Sequence, residues 1–76
     1  MFKLPFKPGD DLWMIDDEHD CSVLREKNGI KGIAFMDDGE IKMVNKDGFC
    51  FSIGEENIFP TYEMARTKAI EMLECD

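Results

Sequence analysis

Asp16-Asp17-Glu18-His19-Asp20-Cys21 is the one run of the chain in which carboxylates, an imidazole and a thiol stand side by side. Carboxylate-rich loops attract hard cations such as calcium and magnesium, but an EF-hand sets its ligands at alternate positions, with Gly sixth and Glu twelfth. That spacing is missing. For zinc, one histidine and one cysteine separated by a single residue are too few and too cramped. The run therefore reads as a hydrated acidic turn that holds no metal.

Other catalytic arrangements fare no better. His19 is the only histidine, and no serine stands in a nucleophile-elbow context, which excludes a serine triad. The pairs Asp10-Asp11, Asp37-Asp38 and Glu55-Glu56 all fall in turn-like sequence, where both side chains are hydrated. A general acid needs a carboxyl of raised pKa in a dry pocket. No glycine-rich phosphate loop is present. Cys21, Cys50 and Cys75 are odd in number and widely spaced, the pattern of reduced structural thiols. The expectation is a protein without catalytic residues or cofactor.

Charge is the feature that exceeds what a fold requires. Seventeen acids against nine bases give a net charge of −8 on 76 residues. So strong a negative field disfavours direct contact with nucleic acid or an anionic membrane and suits a partner with a basic surface. Only Arg25 to Lys31 is locally positive. No apolar run approaches the roughly 20 residues that span a bilayer, and Met1 to Phe6 lacks the core of a signal peptide, so a cytoplasmic location is expected.

A chain this short is one domain that buries only about 60% of its unfolded surface, so each large apolar residue counts. Residues 1–9, with Pro5, Pro8 and Gly9, read as an extended lead-in whose Phe2, Leu4 and Phe6 alternate with polar or proline positions. Residues 10–59 hold the strands. Asp11 to Asp16 is dense in strand-favouring apolar residues, and Cys21 to Lys27 alternates. Asn28-Gly29 signals a type I′ hairpin turn leading into a third strand, Ile30 to Met36. Asp37-Asp38-Gly39 and Asp47-Gly48 are further turns, flanking strands at Ile41 to Asn45 and Phe49 to Ile53. Ile58 and Phe59 add a short closing strand or staple the entry of a helix. Residues 60–76 form that helix: Pro60 stops the strand, Thr61 caps, and Tyr62, Ala65, Ala69, Met72 and Leu73 make its apolar stripe. The fold class is α+β, mainly β: a five-stranded antiparallel barrel with a packed C-terminal helix.

Pro8-Gly9-Asp10-Asp11-Leu12-Trp13 resembles the opening of small SH3-like barrels. The closing Ile58-Phe59-Pro60-Thr61-Tyr62-Glu63-Met64-Ala65 is similar to the IF-x-T-x-E-E-A segment that ends many short proteins of Firmicutes bacteria and their phages. Two residues depart from that pattern: Pro60 stands at a usually aliphatic position, and Met64 replaces the second Glu, removing the reciprocal half of a capping box. The resemblance implies an SH3-like fold and a phage or mobile-element setting, and it carries no catalytic residue over.

The functional expectation is an acidic, non-enzymatic protein-binding module. In its sharper form it is a mobile-element inhibitor that offers Asp16, Asp17, Glu18, Asp20, Asp37, Asp38, Glu40, Glu55 and Glu56 to the basic nucleic-acid-binding cleft of a host defence protein. An adaptor that grips a peptide in an aromatic groove near Trp13 is the alternative. A nucleic-acid-binding barrel using an Arg25 to Lys31 hairpin is the second, disfavoured by the charge.

Overall fold

The computed structural model describes residues 4–16, 18 and 20–74. The chain runs β1 (Leu12–Asp16), β2 (Ser22–Glu26), β3 (Gly32–Phe35), β4 (Ile41–Val44), β5 (Cys50–Phe51), a short 3-10 turn (Glu55–Asn57), β6 (Ile58–Phe59) and α1 (Tyr62–Glu74). The six described strands form two antiparallel three-stranded sheets, ordered β2-β1-β6 and β3-β4-β5, where the sequence suggests five strands in one barrel. The fifth strand contracts to two residues, leaving Phe49 and Ile53 outside it and exposed.

The first sheet is the centre of the molecule because both of its faces are covered. Successive side chains of a strand point to opposite faces. Leu12 and Met14 of β1, with Ile58 of β6, face the second sheet and join Phe6, Ile30 and Met43 in one apolar cluster. Trp13 and Ile15, with Phe59, face the other way, where Ala65 and Ala69 of α1 lie on them. The register confirms the assignment: Met14 stands opposite Ile58 and Trp13 opposite Phe59. A strand buried on both faces needs an unbroken apolar run, which Leu12-Trp13-Met14-Ile15 supplies.

The lead-in contributes to this core. Phe6 is 3% exposed, and Gly9 donates its N–H to the Ile30 carbonyl at 2.8 Å. Phe2 lies outside the described residues.

Asn28-Gly29 is not a hairpin turn. β2 pairs with β1 and β3 with β4, so residues 27–31 form the bend that carries the chain from one sheet to the other. Asn28 has a φ of 55°, but Gly29 is not among the glycines of positive φ, as a type I′ turn would require. Its glycine answers to space instead: a Cβ there would lie 3.0 Å from both Cβ and Cδ1 of Leu12.

The helix begins as its cap residue dictates, with Met64 donating its backbone N–H to Thr61 Oγ1 at 3.2 Å. Its buried stripe is narrower than the sequence suggests. Ala65 and Ala69 are buried and Met72 half-buried, whereas Tyr62 is 48% and Leu73 63% exposed. Two small residues let the helix backbone sit close to the sheet, and the large residues on its flank then overhang the sheet edge.

Candidate functional site

The topology gathers acidic residues from separate turns at one end of the molecule. β1 ends at Asp16, and β6 runs antiparallel to it with Ile58 opposite Met14. The Glu55–Asn57 turn that feeds β6 therefore lies at the same end of the first sheet as the turn that follows Asp16. Ser52 adds the third turn: its hydroxyl donates to Glu40 Oε1, and its backbone N–H donates to Glu55 Oε1 at 3.1 Å. Glu40 closes the Asp37-Asp38-Gly39 turn, where Asp38 Oδ1 accepts its N–H at 2.9 Å.

Asp20, Asp38 and Glu55 each accept a nearby backbone N–H, and Glu40 accepts the Ser52 hydroxyl. Among the described residues, Glu18, Asp20, Asp37, Asp38, Glu40, Glu55 and Glu56 are exposed and make no ion pair. Asp20 accepts from the hydroxyl of Ser22 and from its N–H at 3.1 Å. Those two bonds, the hydroxyl first, hold its carboxyl below the ordinary carboxylate range. Glu56 has a φ of 54°, in the left-handed region that glycine normally fills, and so interrupts the helical backbone of the 3-10 turn. Asp17 and His19 lie outside the described residues. Among those described, no group of three or more His, Cys, Asp or Glu side chains is arranged to hold a metal ion.

Trp13 stands apart from this set. It is half-buried on the helix side of the first sheet, its ring met edge-on by Tyr62 and overlain by the Arg25 guanidinium at 5.7 Å from the ring centroid. Arg25 also donates to Asp11 Oδ2 at 2.7 Å, while Asp11 Oδ1 accepts the Asn28 N–H at 2.8 Å. The sequence places Trp13 on a face opposite Leu12 and Met14, which holds; what it does not reveal is that the helix covers that face. Arg25 is accordingly committed to Asp11 and Trp13; it and Glu26 belong to β2, and residues 27–31 that follow are the bend between sheets.

Two groove-forming residues escaped the sequence reading. Ile53 and Met64, with Phe59, Glu63, Thr67, Lys68 and Glu71, line an open groove of about 470 Å³ between the end of the second sheet and one flank of α1. The signal was present in Met64, a large apolar residue lying off the helix stripe. Cys50 is exposed and Cys21 half-buried, both as free thiols. No helix among the described residues is long and apolar enough to cross a membrane. No family model, curated protein or solved structure matches the chain.

Proposed function

We propose that this protein is a non-enzymatic binding module whose acidic end docks on a basic surface of another protein. One observation carries the reading: Glu18 and Asp20 after β1, Asp37, Asp38 and Glu40 in the β3–β4 turn, and Glu55-Glu56 before β6, distant in sequence, are brought toward one end of the fold, and among the described residues these seven make no ion pair. A folded protein repels itself when like charges converge, so their convergence is a cost that binding a cationic partner offsets. A basic cleft of the kind that binds nucleic acid offers the complementary charge, and occupying it would make the protein an inhibitor. The mobile-element setting drawn from the sequence resemblance is consistent with that role, and a cytoplasmic location follows from it.

We propose further that the two sheets are the halves of one SH3-like barrel. In that reading β2 and β3 are the two arms of a single strand bent at residues 27–31, which restores a count of five and the order β6-β1-β2/β3-β4-β5.

The test is to immobilise the intact chain, isolate its partner, and measure association with wild-type protein and with a Glu40→Gln, Glu55→Gln variant. Loss of association with an unchanged melting temperature supports the reading. Unchanged association removes the acidic end from the interface.

A further inference from the structure

The geometry points to the groove between Ile53 and α1 as the seat of a basic peptide segment carrying a large apolar anchor. The inference rests on the acidic-module reading and adds to it a second contact, with the partner chemistry that fits. Ile53, Phe59 and Met64 give the groove an apolar floor, and Ile53 and Met64 remain 41% and 40% exposed. Its volume falls within the roughly 300 to 1,000 Å³ typical of ligand pockets. Methionine adapts its shape to different guests, which suits a side-chain anchor better than a rigid small molecule.

The rim selects the guest. Glu63 and Glu71 line the groove against a single cation, Lys68. Glu55 follows two residues after Ile53, and the intervening Gly54 lies against Phe59, where a Cβ would meet the ring at 3.5 Å. An apolar side chain flanked by lysine or arginine matches this pattern of apolar floor and anionic edge. A second copy of the chain does not, because each copy brings a charge of −8. Met64, Lys68 and Glu71 lie four and then three residues apart along the helix flank, about 10 Å in all at 1.5 Å per residue. That length receives about three residues of an extended peptide.

The experiment uses the intact protein and three fluorescein-labelled peptides: one of lysine and leucine, the same with serine for leucine, and the same with glutamine for lysine. Fluorescence polarisation should show the lysine–leucine peptide binding about tenfold or more tighter than either control, as expected for one buried anchor. Ile53→Ser and Met64→Ser should each remove that advantage while leaving the weaker lysine–serine binding in place. Both positions are partly exposed, so folding is retained, and a melting curve checks this. Equal binding of the lysine–leucine and lysine–serine peptides, unaffected by Ile53→Ser, overturns the groove but leaves the acidic-module reading standing. Equal binding of the glutamine–leucine peptide overturns the basic character of the guest. Binding of none of them at low salt overturns both proposals.

Discussion

Tyr62 meets Trp13 edge-on, with ring centroids 5.4 Å apart and planes inclined by 67°. Because Tyr62 is the first residue of α1 and Trp13 belongs to β1, this contact fixes where the helix starts on the sheet. Aromatic pairs in this geometry contribute about 0.5–1.5 kcal/mol beyond the area they bury. Tyr62→Ala should destabilise by about 1–2 kcal/mol, whereas Tyr62→Phe should cost less than about 0.5 kcal/mol, since the ring makes the contact. Urea denaturation of both variants checks the ordering, and an equal loss from the two would locate the effect in the hydroxyl.

Removing α1 by ending the chain at Pro60 should abolish cooperative folding. The helix covers Ile15 and Phe59, with half-buried Trp13 and Val23 beside them and its own Met72 packed against the cluster. Burial of large apolar side chains is worth about 1.5–3 kcal/mol each, so losing the cover on this face removes a sum comparable to a small domain's whole stability. A truncated chain with a cooperative melt would contradict the packing described for Ala65 and Ala69. Enlarging the contact should also do harm: Ala65→Leu forces the helix off the sheet, at about 1–3 kcal/mol.

Gly29 and Gly39 separate two reasons for a glycine. Gly39 has a φ of 91° and open space around it, while Gly29 has an ordinary φ and Leu12 within 3.0 Å of where a Cβ would stand. Asparagine tolerates the left-handed region, so Gly39→Asn should be nearly neutral. Gly29→Asn should cost about 1–3 kcal/mol, with the urea midpoint falling at constant slope. Equal effects would return Gly29 to the role of a turn residue.

Asp11 makes stability depend on pH in a defined direction. The Asn28 N–H, chiefly, holds its carboxyl below the ordinary range; desolvation opposes this, and Arg25 adds to the lowering. A carboxyl whose pKa is lower folded than unfolded stabilises the fold above its unfolded pKa and loses that contribution as pH falls through the folded value. The stability difference between wild type and Asp11→Asn should therefore be largest near neutral pH and shrink below about pH 4. A difference constant with pH would mean that the carboxyl has the same pKa folded and unfolded, against the lowering described.

How far the sequence revealed this structure differs from element to element. The strands β1, β2 and β4, the closing Ile58-Phe59 and the Thr61 cap were legible because each depends on local chemistry: apolar runs, alternation, a hydroxyl before a helix. What escaped depends on contacts between distant residues. Asn28-Gly29 carries the composition of a hairpin, yet Leu12, seventeen positions before Gly29, decides its geometry. Tyr62 and Leu73 follow the helical period, but the close seat allowed by Ala65 and Ala69 leaves them beyond the sheet's edge. The acidic residues were visible singly; their convergence follows from the antiparallel register of β6 on β1 and from Ser52, neither of which has a sequence signature.

The central claim is that the acidic end steers association with a basic partner, and the ionic-strength dependence of the association rate tests it most directly. Stopped-flow mixing with the isolated partner should give a rate constant that falls by about tenfold or more between low and physiological salt. Replacing Asp37 and Asp38 together by asparagine should slow association at low salt several-fold and flatten the salt dependence. The melting temperature should hold, because both lie at the tip of an exposed turn. An association rate indifferent to salt and to the double substitution would contradict the account and leave the charge with no role beyond solubility.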